Sequence, residues 1–181
     1  EQALIDLGYD TTLDDSVLTA NISGVTSLDV SNKEISDLTG IEAFAALTDL
    51  DCHDNKLTSL DVSNNTALLQ MNVDKNQLTS LDVSKNTALD YLTVFGNQLT
   101  SLDVSANTAL IRLFCMFNQL TSLDVSKNTA LIDLRVDHNQ LTSLDVSKNA
   151  ALTNLVVGNN YLTSLVVRNN TVLQGLACDK N

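Results

Sequence analysis

Seven asparagines, Asn55, Asn76, Asn97, Asn118, Asn139, Asn160 and Asn181, recur at an unbroken spacing of 21 residues. A second series, Asn65, Asn86, Asn107, Asn128, Asn149 and Asn170, follows ten residues behind the first. Each closes the pattern LxxLxVxxN, with Met71 once in place of the second Leu and Cys52, Cys115 and Cys178 in place of the Val, so the pattern occurs twice per unit. A unit this short cannot bury its own apolar face, and a fixed period of this kind stacks into a solenoid. Positions that every unit shares build the scaffold, and positions that differ are free to recognise something.

Within each half-unit the apolar residues alternate. That places Leu and Val inward and the residue between them outward, which predicts parallel strands stacking on two faces. An asparagine at the same height in every coil can serve backbone donors and acceptors of the next coil, so both series read as structural ladders. Cys52, Cys115 and Cys178 are 63 residues apart, three whole units each time, in the inward column otherwise held by Val73, Val94, Val136 and Val157. They read as packing residues rather than ligands or a disulfide, because a buried thiol behaves as a small hydrophobe and three strand spacings put them ~14 Å apart.

The chain divides into residues 1–24, an N-terminal cap, and 25–181, the repeat array. In the cap, a short helix is expected from Gln2 to Leu7 with Gly8 as its stop, and Leu13, Val17, Leu18 and Ile22 are expected to cover the first open core. The array comprises an irregular first repeat, 25–46, with Lys33 in place of the usual asparagine and a helical turn over 41–46, then six 21-residue repeats over 47–172 and a partial last repeat, 173–181. Glu1 is not followed by a basic-then-apolar leader, which reads as a processed or excised chain. Asn181 falls at the ninth position of a repeat with no polar closing element, so a continuation is expected.

Composition narrows the partners. With 44% hydrophobic and 18% charged residues the chain can bury a continuous core, and no apolar run approaches the roughly 20 residues of a membrane helix. A net charge of -12 argues against nucleic acid and anionic membrane, which need a basic footprint. No glycine-rich phosphate loop and no CxxC or HxxxH pairing is present, and no cofactor is implied.

In residues 68 to 88, Leu68, Met71, Val73, Asn76 and Leu78 spell LxxLxVxxNxL. This resembles the leucine-rich repeat family over about 25–181. The resemblance implies an α/β repeat solenoid of mostly β content, a right-handed coil with parallel strands on the concave face, short extended segments on the convex face and a helical cap. The nested second copy, such as 79–84 with Asn86, is similar to the IRREKO class of bacterial repeats, and the first repeat around 32–42 is similar to internalins. The resemblance further implies an extracellular or cell-surface bacterial protein.

The two copies of the motif are unequal. On the second copy the outward residues barely change, and Asp61, Asp82, Asp103, Asp124 and Asp145 form a column ended by Val166. Such carboxylates repel one another, and the offset is expected from Lys85, Lys127 and Lys148 and from Ser and Thr hydroxyls. A calcium column is the sharper alternative, although one carboxylate per coil lacks the density of dedicated loops. Regular Ser and Thr columns also raise an ice-binding face, against which the central charge argues.

On the first copy nearly every outward residue varies. Among three tyrosines and four phenylalanines, Tyr91, Phe95, Phe114 and Phe117 fall within 27 residues at outward or edge positions of two adjacent coils. Met116 lies among them, and Arg112 and Arg135 are two of three arginines. Aromatics with arginine dominate binding hot spots and exposed apolar patches mark contact sites; the alternative folds Phe95 and Phe117 into the turn core. The candidate ligand-binding set is Tyr91, Phe95, Arg112, Phe114, Met116, Phe117, Arg135, Asp137 and His138. His53 and His138, four repeats apart, cannot share a catalytic site, and His138 has no nucleophile beside it. The leading expectation is a non-catalytic module for protein interaction or adhesion. A structural spacer and a glycan-binding module, with Asp133, Asp137 and Arg135 bonding hydroxyls, are the alternatives.

Overall fold

The computed structural model describes residues 2–14 and 16–181. Glu1 and Asp15, both within the expected cap, lie outside the described residues. Two short helices, α1 (Gln2–Asp6) and α2 (Thr19–Ile22), precede ten three-residue strands: β1 (Ser27–Asp29), β2 (Asp49–Asp51), β3 (Gln70–Asn72), β4 (Tyr91–Thr93), β5 (Arg112–Phe114), β6 (Asp133–Arg135), β7 (Ser143–Asp145), β8 (Asn154–Val156), β9 (Ser164–Val166) and β10 (Gly175–Ala177).

One parallel sheet of eight strands runs in the order β1-β2-β3-β4-β5-β6-β8-β10 along the concave face. Its register follows the repeat, with Leu92 facing Met71 on one side and Leu113 on the other. Identical columns therefore stack: Val73, Val94, Val136 and Val157 are fully buried, as are Leu78, Leu99, Leu120 and Leu141. Burying each such side chain stabilises the coil by roughly 1.5–3 kcal/mol, which is why the stack holds with so little regular secondary structure.

The second face lacks the second strand stack that the alternation predicts and carries instead the short extended segments that the resemblance implies. Only β7 and β9 pair there, and the other second halves run as extended segments. A curved stack can hold strand spacing on one side only; on the outside, successive coils fan apart. Each outer segment instead turns on itself, with Asn86 N–H donating to the Val83 carbonyl at 3.0 Å and Leu89 N–H to the Asn86 carbonyl at 3.1 Å.

Both asparagine ladders are present, but they work differently. Asn118 Oδ1 accepts Leu99 N–H at 3.0 Å, and its Nδ2 donates to the carbonyls of Val94 at 2.9 Å and Cys115 at 3.2 Å. Asn107, in the second series, donates to the Val83 and Asn86 carbonyls at 2.9 and 2.8 Å. Its Oδ1, like that of the other five second-series asparagines, meets no protein donor. The repeat pattern gives no hint of that asymmetry.

Two further expectations need correction. Cys52 and Cys115 are buried, and desolvation pushes both thiols up to about 12, but Cys178, in the partial last repeat, is exposed. At the other end Ile22 is buried and Val17 packs on the core, whereas Leu13 and Leu18 are 70% and 72% exposed. Ala3 and Leu4 of α1 and Tyr9 in the turn beyond it take their place against the core. That helix ends at Asp6, a residue short of the expected end, and Gly8 makes the following turn at φ +79°. The helical turn expected at 41–46 is a 3-10 turn at Ile41–Ala43. No helix among the described residues is long and apolar enough to cross a membrane.

Candidate functional site

Three residues from each concave coil face outward, and a fourth makes the turn that follows. The turn column is Asn32, Asp54, Lys75, Gly96, Phe117, His138, Asn159 and Lys180, and every member has φ between +50° and +68°. Left-handed backbone favours Gly, Asn and Asp. Four members of the column have those identities, a signal readable in the sequence once the column is aligned. Phe117 and His138 are the costly occupants, since bulky side chains rarely adopt this conformation.

The aromatic residues form two separate chains of contact across neighbouring coils. In the first, Tyr91 on β4 meets Phe114 on β5 edge to face at 5.6 Å. The Arg135 guanidinium on β6 lies 4.7 Å over the same Phe114 ring. Asp133 holds that guanidinium through two hydrogen bonds, from Nε at 3.2 Å and Nη2 at 3.0 Å, and accepts a third from Asn154 at 2.9 Å. Hydrogen bonding to Asp133 raises the Arg135 pKa further above its usual value, so the cation over the ring is permanent.

In the second chain, Phe95 meets Phe117 edge to face at 5.4 Å, and Phe117 stacks on His138 at 4.0 Å. Asp137 bonds His138 Nδ1 at 2.8 Å. Phe117 is 48% exposed and Phe95 half-buried, so neither is lost into the turn core. Met116 sits half-buried between the chains and Arg112 is exposed on β5. The nine candidate residues thus gather on three consecutive coils. Asp133 and Asn154 belong with them as supports for Arg135, and Ile111 and Ile132, each one residue before its strand, are further exposed apolar side chains of these coils. Sequence reading missed those two isoleucines because the residue before each strand was not treated as outward.

The N-terminal half of the same face is acidic. A shallow cleft over β1 to β4 is lined by Asp29, Asp49, Asp51, Gln70, Asn72 and Tyr91. Asp51 accepts from His53 Nδ1 at 2.6 Å and from Asn72 Nδ2 at 3.2 Å, and the other His53 nitrogen contacts the Asn32 amide at 3.0 Å. Asp74 accepts from the Phe95 N–H at 2.7 Å and from the buried Thr93 hydroxyl. Burial nevertheless raises its pKa.

On the outer face each aspartate of the regular column accepts the backbone N–H of the serine two residues on, at 2.8–2.9 Å. Those bonds lower the pKa of all five carboxylates, the backbone N–H foremost for four of them and the serine side chain foremost for Asp145. The offset anticipated from hydroxyls and lysines is present, with Lys85, Lys127 and Lys148 acting on Asp82, Asp124 and Asp145, and the serine amides add to it. Among the described residues no three His, Cys, Asp or Glu side chains are grouped to hold a metal ion.

Residues 24–128 match the family model for the leucine-rich repeat domain of endo-beta-N-acetylglucosaminidase EndoS. A 52-residue stretch is 44% identical to internalin J of Listeria monocytogenes, covering 29% of this chain and 6% of that protein. The solved functional domain of InlJ from Listeria monocytogenes, described as including a cysteine ladder, superposes with a TM-score of 0.77 at 36% identity over 99% of this chain and 45% of that one. A leucine-rich repeat protein of Leptospira interrogans gives 0.74 at 29% identity, over 78% of this chain and 39% of that structure. The chain thus spans less than half the length of either structure.

Proposed function

The chain belongs to the leucine-rich repeat family, with internalin-like repeats, and from that premise we propose that it is a non-catalytic binding module whose concave face holds a protein ligand. The observation that carries this reading is the Phe114 ring. It stands half-buried on an outward strand position, fixed by Tyr91 at its edge and Arg135 over its face. A preorganised aromatic with a permanent cation beside it is the kind of group on which binding energy concentrates, because little rotamer freedom remains to be lost on contact. Tyr91, Phe95, Arg112, Met116, Phe117, Arg135, Asp137 and His138 surround it as the contact surface. A secreted or cell-surface role in adhesion accords with the Listeria internalin relatives.

Glycan binding is the second reading, favoured by one feature: Asp133, Arg135 and Asn154 form a hydrogen-bonding row beside the Tyr91 and Phe114 rings, an arrangement suited to hydroxyls with a stacked sugar face. The test compares wild type with Phe114→Ala/Arg135→Ala and with the outer-face pair Asp103→Ala/Ser105→Ala, by pulldown and glycan array. Loss of captured protein only in the first pair is expected, corresponding to about 2 kcal/mol or more. Loss only in the second pair moves the site to the outer face. No change in either pair favours a spacer.

A further inference from the structure

The charged groups of the concave face are unequally neutralised. Toward the C-terminal side Arg135 is held by Asp133. Along the N-terminal rim Lys33, Lys56 and Lys75 pair with Asp6, Glu34 and Asp54 at 3.4–3.6 Å. Asp29, Asp49, Asp51 and Asp74, which face the cleft or border it, have no lysine or arginine ion pair among the described residues, and His53 is the one basic side chain in contact with them. The Ser31 N–H holds the Asp29 carboxyl below its ordinary value, so at neutral pH the cleft is anionic. Tyr91 joins this cleft to the aromatic surface, since it lines the one and abuts Phe114 in the other. The two features make one continuous face with an unneutralised anionic end and an apolar middle.

We propose that this face takes an extended protein segment bearing a lysine or arginine, with the cation seated among Asp29, Asp49 and Asp51 and an apolar side chain resting on Phe114 and Met116. The inference rests on the reading of the face as a protein-binding surface and adds the chemistry of the partner. Charge complementarity fixes the sign: an acidic segment would be repelled over the first four strands, where like-charge juxtaposition disfavours binding. Geometry fixes the spacing. From β2 to β5 is three strand separations, ~14 Å, which an extended segment covers in about four residues. The rim of Tyr91 adds a ring face to a guanidinium in the cleft.

The test uses the isotope-labelled full chain and two acetylated, amidated pentapeptides, Arg-Ser-Ser-Ser-Phe and Glu-Ser-Ser-Ser-Phe, titrated by NMR. The arginine peptide is expected to bind at least about tenfold more tightly at low salt, to shift the amides of β2 and β5 together, and to lose most of that advantage in 0.5 M salt. Asp49→Asn/Asp51→Asn should bring the two peptides to equal affinity, and Asp29→Asn, which leaves the His53 contacts intact, should reduce the difference on its own. Equal binding of both peptides by wild type overturns the cationic partner while shifts at Phe114 leave the face as a binding surface. Binding of neither also overturns it, and the pulldown then judges the broader reading independently.

Discussion

The imidazole of His138 lies flat on the Phe117 ring, with centroids 4.0 Å apart and planes 11° from parallel, and both residues occupy left-handed backbone. Each is a bulky side chain where the turn column elsewhere carries glycine, asparagine, aspartate or lysine. Their stack, with Phe95 against the edge of Phe117, offsets part of the backbone cost.

That cost can be measured. Replacing Phe117 by glycine or by alanine removes the same ring contacts, but only glycine relieves the backbone at φ 54°. Phe117→Gly is therefore expected to be more stable than Phe117→Ala by about 1 kcal/mol, read from urea unfolding midpoints. The reverse order, normal at extended or helical positions, would sink the strain argument.

The ladders differ in what they leave unpaired. Asn118→Ala leaves the buried Leu99 amide without its acceptor, while the Val94 and Cys115 carbonyls keep Asn97 and Asn139 as donors; Asn107→Ala strands nothing, because the Val83 and Asn86 carbonyls keep the Asn86 and Leu89 amides and the lost Oδ1 had no protein donor. A buried unpaired group costs about 1–3 kcal/mol, so Asn118→Ala is expected to be the more destabilising. Equal losses in chemical unfolding would mean that the two ladders are energetically equivalent.

Thiol reactivity separates the three cysteines. At pH 8 one equivalent of a thiol reagent should couple rapidly, at exposed Cys178, and Cys52 and Cys115 should react only on unfolding, since burial pushes both up to about 12. Their folded values exceed the unfolded one, so their contribution to stability is complete below about 8.5 and fades as pH rises toward 12. Cys178→Ser should abolish the fast phase; a fast phase that survives contradicts the burial.

Acid acts through the outer column. The pKa values of Asp61, Asp82, Asp103, Asp124 and Asp145 are all lowered, so the stability they contribute is present above their unfolded value near 3.9 and is lost as pH falls through the folded ones. Asp74 runs the other way, because burial raises its pKa. Unfolding midpoints followed from pH 7 to pH 2 should fall at the acid end, and Asp82→Asn/Asp103→Asn should flatten that fall. An unchanged profile would show that the serine amides do not favour the ionised carboxylates.

The stacking register, the inward columns and the concave position of the candidate residues were legible because each depends on a period of 21 residues that the chain states repeatedly. Register places Tyr91 opposite Arg112 and Phe114 opposite Thr93, so the diagonal approach of Tyr91 to Phe114 also depends on side-chain direction. What escaped depends on quantities a period does not carry. Curvature decides which half-unit pairs as a sheet, so the outer strands were overcounted. Cys178 shares its column with buried Cys52 and Cys115, yet it is exposed, and column membership alone does not set burial. The turn column was read as ordinary surface because Phe117 and His138 mask the glycine and asparagine that mark its backbone. The anionic cleft was overlooked because its aspartates come from three coils and look like ordinary solvated residues when each is read alone.

Sheet hydrogen bonds tie the coils together along the concave side from β1 to β10, while among the described residues the outer side has one such strand pairing, between β7 and β9. The outer side is otherwise joined from coil to coil by single asparagine side chains, such as Asn107 to the Val83 and Asn86 carbonyls, which makes it the more compliant edge. Flexing changes the curvature of this molecule and leaves the separation between concave strands nearly fixed, so the distance from Asp51 to Phe114 is held as though on a ruler while the back absorbs the strain.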